Sequence, residues 1–129
     1  MKAFLLFLTT LLTLSVSAQD KKEKESDTSA MKVYYMVFLK SGPTRNHTPE
    51  EAKKIQEGHM AHLDSLYANG LISLAGPFMD KDDIRGIVVY NIEGEAEVKR
   101  LAEADPAVKA GRLIVEIHPW YSQKGAYLK

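Results

Sequence analysis

The first long apolar run of this chain has the composition of a β-strand. Lys32 to Lys40 reads KVYYMVFLK, which is rich in β-branched and aromatic residues and is followed by the turn sequence Ser41-Gly42-Pro43. Both faces of the run are largely apolar, as in a strand that is covered on both sides. The pattern predicts a central strand.

A helix is predicted after this strand. Thr48 can cap it, Pro49 and Glu51 stand at its first and third positions, and Asn69-Gly70 provides its end. Within the helix, five side chains recur at spacings of three and four: Ile55, His59, His62, Leu63 and Leu66. We expect this stripe, with both of its histidines, to face the sheet.

The second half of the chain predicts two more strands, a second helix and a last strand. In order, these are Leu71 to Phe78, broken at Gly76-Pro77, then Ile84 to Ile92, Glu95 to Ala104, and Leu113 to His118. The apolar stripe of the second helix ends at Asp105, and Pro106 forces the helix to stop or restart there. Asp105 can cap a short turn that Gly111 closes.

This order of elements is the βαββαβ arrangement of a ferredoxin-like α+β sandwich, in which an antiparallel sheet carries helices on one face. The other face would be left bare and apolar. Pairing with the sheet of a second protomer would cover it, so the pattern predicts a homodimer.

The N-terminal residues predict a cleaved signal peptide over residues 1–18. Met1-Lys2 supplies a positive start, Ala3 to Leu14 is apolar apart from threonines, and Val16-Ser17-Ala18 resembles a signal-peptidase site. The apolar run is too short for the roughly 20 residues that span a bilayer. Residues 19–30 read QDKKEKESDTSA and predict a charged, flexible linker. The expected location is the periplasm or the medium, with no membrane attachment after cleavage.

Composition narrows the function classes. Seventeen basic residues balance seventeen acidic ones, so no electrostatic signal favours nucleic acid. The chain has no cysteine, which excludes disulfides, thiolate metal sites and cysteine nucleophiles. The expected partners are a small molecule and a second copy of the chain.

Four short motifs occur in a fixed order: HL at His62-Leu63, AGPF at Ala75 to Phe78, DPAVKAG from Asp105, and PW at Pro119-Trp120. As a set they resemble the YCII-related domain family of the dimeric α/β-barrel superfamily. The resemblance covers residues 31–121 and leaves 122–129 as a C-terminal tail.

The resemblance implies a dimer formed through the sheet and a His–Asp active site in a pocket between sheet and helices. Carried over by motif, the histidine is His62 and the aspartate is Asp105. Ala107 stands where many members have an aromatic residue, so we expect a more open pocket wall. A few members resemble lyases that eliminate chloride from hydroxylated aromatic rings, and most have no assigned reaction.

The residues themselves favour the same pair. A carboxylate beside an imidazole fixes its tautomer and raises its basicity, so His62 and Asp105 could together transfer a proton. The alternative is structural: His62 is a hydrogen-bonded core histidine and Asp105 only a helix cap. Six further residues are candidates for lining the binding pocket: Tyr35, His59, Gly76, Pro77, Phe78 and His118.

A metal site is weakly supported. His59 and His62 share a helical face and could be joined by His47 or His118, but the spacing and the glutamate of an HExxH motif are missing. We therefore expect neither a metal nor another cofactor.

The predicted function is cofactor-independent lyase or isomerase chemistry on a small cyclic or carbonyl-bearing molecule. A non-catalytic binding or assembly module on the same fold is the alternative.

Overall fold

The computed structural model describes residues 30–129. The predicted signal peptide and all but the last residue of the predicted linker lie outside this range. The elements in chain order are β1 (Met31–Ser41), α1 (Pro49–Ala68), β2 (Ile72–Pro77), β3 (Ile84–Tyr90), α2 (Glu95–Glu103), α3 (Pro106–Lys109) and β4 (Leu113–Gln123). No helix within residues 30–129 combines the length and the apolar composition needed to cross a membrane.

The strands form one antiparallel sheet in the order β2-β3-β1-β4, which confirms the predicted ferredoxin-like α+β fold. The main core lies between this sheet and the helices. Its buried members are Val37, Leu39, Leu66, Ile72, Val88, Tyr90, Val98 and Ala102. Burial of these side chains supplies the main force that holds the helices on the sheet.

The capping box predicted for α1 is present. Thr48 Oγ1 accepts a hydrogen bond from the Glu51 backbone N–H at 3.2 Å, and a Glu51 carboxylate oxygen accepts one from the Thr48 N–H at 2.8 Å. Gly70 follows the helix with φ +68°, a conformation that favours glycine. Both ends of α1 are therefore fixed by local sequence.

The last strand is longer than predicted. β4 continues past His118 to Gln123, because β1 begins at Met31 and pairs with β4 along its full length, from Met31↔Gln123 to Ser41↔Leu113. Pro119 is tolerated inside β4 because this strand lies at the edge of the sheet. The end of β3 also differs from the prediction, because the strand ends at Tyr90 and not at Ile92.

β2 is not broken at Gly76-Pro77. The strand runs through both residues, and Pro77 pairs with Gly86 on β3. β2 is the other edge strand, so a proline costs no ladder hydrogen bond on its outer side. Gly86 is needed there, because a Cβ at this position would lie 2.6 Å from the carbonyl oxygen of Gly76.

Candidate active site

A buried histidine–aspartate pair joins α1 to the start of α3, but the histidine is His59. Its Nδ1 lies 2.6 Å from Asp105 Oδ2, and both side chains are almost fully buried, at 10% and 4% exposed. His62, which the sequence predicted as the partner, lies elsewhere: its Nε2 is 3.0 Å from the backbone carbonyl of Leu101 on α2. The predicted His62–Asp105 contact is therefore wrong.

The rotation of α1 explains this difference. Three residues along a helix turn a side chain by about 300°, so His62 points about 60° to one side of His59. That side faces α2. The other side, which carries Met60 and Leu63, faces an open pocket. Membership of one apolar stripe could not separate the two histidines, because both belong to it.

Gly58 lets α1 approach α3 closely enough for the pair to form. A Cβ on Gly58 would lie 3.2 Å from Cβ and Cγ of Pro106. Glycine inside a helix costs about 1 kcal/mol relative to alanine, so its use beside the His59 position indicates a close approach. This was the signal in the sequence that could have selected His59.

Asp105 uses both of its carboxylate oxygens. Oδ1 accepts the Ala107 backbone N–H at 2.8 Å and caps α3, while Oδ2 contacts His59. A neutral His59 therefore carries its proton on Nδ1 and donates it to Asp105, which leaves the lone pair on Nε2. The predicted cap at Asp105 is confirmed.

The free ring nitrogen of His59 is open to the pocket. Among residues 30–129, Nε2 has no hydrogen-bond partner, and no side-chain nitrogen or oxygen is both sealed from solvent and unpartnered. Since the His59 ring also lines the pocket, Nε2 is the atom that a bound molecule can reach. The pair thus consists of one accessible nitrogen and one buried carboxylate that orients the ring.

The pocket has a volume of about 650 Å³, enough for a ring-sized molecule, and its wall is mainly apolar. It lies between α1, β2 and the loops that flank β1 and β4. Of the residues predicted to line it, His59, Gly76, Pro77 and Phe78 do so. Ala107 also lines it.

Tyr35 and His118 do not line this pocket. Tyr35 packs against the main core between sheet and helices. His118 lies on the opposite face of the sheet, where its ring contacts Phe38 at 5.3 Å between centroids and its Nε2 contacts a Glu116 carboxylate oxygen at 2.7 Å. The period-two alternation of β4 accounts for the position of His118.

Within residues 30–129, no group of three or more histidine, aspartate or glutamate side chains is arranged to hold a metal ion. His47 lies near Arg112 instead, with its Nδ1 3.4 Å from Arg112 Nη1. Sequence reasoning missed Arg112 and Arg45 as pocket residues. Both lie in connecting segments, whose position cannot be inferred from periodicity.

The fold and the pair first define a class: a ferredoxin-like α+β sandwich with a His–Asp pair at the wall of a pocket. The model of the YCII-related domain matches residues 33–121, and the chain belongs to the YCII-related domain family.

Among solved structures, the chain is similar to 5-chloro-2-hydroxyhydroquinone dehydrochlorinase (TftG) from Burkholderia phenoliruptrix AC1100, in complex with 2,5-dihydroxybenzoquinone. The TM-score is 0.52 at 23% sequence identity, over 67% of this chain and 92% of that one. At this identity the likeness shows the fold. No curated protein sequence is significantly similar to the chain.

Proposed function

We propose that the pocket binds a small cyclic or carbonyl-bearing molecule and that His59 acts on it as a general acid or base. The carrying observation is the 2.6 Å contact between His59 Nδ1 and the buried Asp105 carboxylate, which leaves Nε2 open to the pocket. A base held in one tautomer beside an apolar cavity suits proton transfer next to a carbonyl. Asp105 orients the ring and balances its charge when His59 is protonated.

The reaction class that fits is elimination or isomerisation without a cofactor. In an elimination from a chlorinated hydroquinone, a proton would first add to the chlorine-bearing ring carbon while the neighbouring ring hydroxyl loses its proton and becomes a carbonyl. Nε2 would then take the proton of a second ring hydroxyl conjugated to that carbon, and the freed electron pair would form C=O and shift the ring double bond as chloride departs with its own electrons. In an isomerisation, Nε2 would take a proton from a carbon next to a carbonyl and return it to another carbon. Neither reaction needs an oxidant or a reductant.

The test combines a ligand and a substrate taken from the similar structure. We expect 2,5-dihydroxybenzoquinone to bind the purified chain and 5-chloro-2-hydroxyhydroquinone to release chloride. His59→Gln should lower the rate of chloride release by roughly 10²–10⁴-fold, the usual contribution of a general base. His62→Gln is the matched control and should change the rate only a few-fold.

The outcomes separate the two function classes. Binding without turnover would favour the alternative, a non-catalytic binding module that keeps the same pocket. An equal loss of rate in both variants would refute the assignment of the base to His59. Absence of binding by either compound would refute this ligand class.

We also propose that two protomers pair through the bare face of the sheet. This face, opposite the helices, carries Tyr34, Met36, Phe38, Ile87, Ile114 and Trp120 by strand alternation. On this face Ile114 is 46% exposed and Trp120 42% exposed, and the polar side chains of Lys40, Glu116 and His118 lie among the apolar ones. A second copy of the sheet would bury them.

Export of the chain is proposed from the sequence of residues 1–18 alone. N-terminal sequencing of the protein from a secreting bacterial host should give Gln19 as the first residue. An intact Met1 in the cytoplasmic fraction would refute the proposal.

A further inference from the structure

The charged side chains around the pocket are distributed unevenly. The charged residues that line it are Arg45, Asp64, Arg85 and Arg112. Arg85 lies where the register of β3 against β1 shifts, and its guanidinium donates to the Asp82 carbonyl at 3.3 Å. Three of the four charges around the pocket are therefore positive, and two of them, Arg45 and Arg112, lie close together.

Arg45 and Arg112 lie at the His59 end of the pocket. Arg112 follows α3, and its backbone N–H donates to the carbonyl of Ala107, whose own N–H is bound by Asp105. The Arg45 guanidinium donates to the Arg112 carbonyl at 3.2 Å. A short series of hydrogen bonds thus connects both arginines to the His59–Asp105 pair.

Neither arginine has a carboxylate partner among residues 30–129. Beyond the Arg112 carbonyl, Arg45 reaches only the Ser41 hydroxyl, at 3.5 Å. Arg112 Nη1 lies 3.4 Å from Nδ1 of His47. None of these partners is a carboxylate, whereas Arg100 on α2 is paired with Glu97 at 2.6 Å. Two guanidinium groups beside an apolar cavity thus keep their charge uncompensated.

The carboxylate of the pocket lies away from the arginines. Asp64 follows His59 by five residues, which places it about 7.5 Å further along the axis of α1, at the end of the pocket next to β2. The one acidic side chain of the lining is therefore separated from Arg45 and Arg112.

We propose that the ligand is an anion whose negative group contacts Arg45 and Arg112 while its reacting atom faces His59 Nε2. A carboxylate or an ionised ring hydroxyl fits, because a guanidinium binds such oxygens with two parallel N–H bonds. This inference rests on the proposed function and adds the charge of its ligand.

The test compares two ring compounds that differ in charge. We expect 2-hydroxybenzoate to bind the chain at least 10-fold more tightly than 2-hydroxybenzamide in calorimetry at 50 mM salt. The difference should shrink at 500 mM salt, because partly exposed charges are screened over a shorter distance. Arg112→Gln and Arg45→Gln should each weaken 2-hydroxybenzoate about 5- to 10-fold and leave 2-hydroxybenzamide unchanged.

Two further variants complete the design. Arg100→Gln removes an arginine outside the pocket and should alter neither affinity. Arg45→Lys keeps the charge and should keep most of the preference for the anion, which guards against loss of folding in the glutamine variants. Equal affinity for the two compounds, or an unchanged preference in both glutamine variants, would overturn the anion inference and leave the ring-binding proposal standing. If 2-hydroxybenzoate, 2-hydroxybenzamide and 2,5-dihydroxybenzoquinone all fail to bind, the proposed function itself fails.

Discussion

At the scale of single residues, the site depends on which atoms are already hydrogen-bonded. One carboxylate oxygen of Asp105 accepts a hydrogen bond at the start of α3, and the other contacts His59. Nε2 of His62 contacts the backbone carbonyl of Leu101. Only His59 combines a buried orienting partner with a nitrogen that is open to the pocket. This difference, rather than residue type or exposure, separates two histidines on one helix.

Tyr90 is the second buried ionisable group near the site. Burial, and secondly the negative charge of Asp105, raise the pKa of the Tyr90 phenol well above its ordinary value of 10.0. The folded state therefore favours the protonated phenol. Its contribution is complete below the pKa of the unfolded chain and is lost as pH rises beyond about 10.

We therefore predict that the free energy of unfolding decreases from about pH 10 upward and that Tyr90→Phe makes this decrease shallower. Urea unfolding between pH 8 and 11.5 would measure it. Tyr67→Phe is the control, since Tyr67 is 64% exposed. An alkaline slope that is the same in Tyr90→Phe as in the parent would contradict the assignment.

At the scale of elements, the contact between α1 and the start of α3 determines the geometry of the pair. Gly58 sits against Pro106, and the next residue is His59. A larger side chain at position 58 must push α3 away from α1. Since Asp105 is the cap of α3, such a shift would also lengthen the contact with His59.

We predict that Gly58→Val lowers the free energy of unfolding by roughly 1–3 kcal/mol, the usual cost of overpacking. Chemical denaturation would measure the loss, and the ring resonances of His59 in NMR spectra should move with it. Ala61→Val, at an exposed position on the same helix, is the matched control. A Gly58→Val protein as stable as this control would show that the helices can separate without cost.

The sequence was sufficient to predict the helices and strands, but it did not predict which histidine contacts Asp105. Local signals such as the Thr48–Glu51 capping box and the Asp105-Pro106 step define their elements within a few residues of the chain. The length of β4 and the choice between His59 and His62 depend on strands and helices distant in sequence. Those contacts depend on the register of the strands and on the rotation of α1. The spacing of apolar residues does not distinguish two histidines that lie about one helical turn apart on the same stripe.

At the scale of the whole molecule, one face of the sheet packs on the helices and the other is the proposed dimer face. Phe38 lies near the middle of that face, opposite Ile87 on β3 and Glu116 on β4. Specific interfaces commonly bury about 800 Å² on each partner, an area that a four-stranded sheet can supply.

We predict that the chain from Gln19 sediments as a dimer at micromolar concentration and that Phe38→Arg makes it a monomer. The substitution would bury a second cation beside Lys40 in the centre of the interface, and the carboxylate opposite it, Glu116, already contacts Lys40 and His118. Met79→Arg is the control, because Met79 is 95% exposed and outside the sheet. A monomeric parent, or a Phe38→Arg protein that remains dimeric, would contradict pairing through this face.

The double use of Asp105 has a consequence for interpreting other members of the family. An aspartate that caps α3 stabilises the fold whether or not any reaction takes place, and its replacement by alanine costs about 1 kcal/mol for the cap alone. A lineage that lost the reaction would therefore be expected to keep the aspartate and to lose the histidine first. An Asp-Pro step by itself is thus a marker of ancestry, and the proposed proton transfer is best tested in members that also have a histidine at the position equivalent to His59.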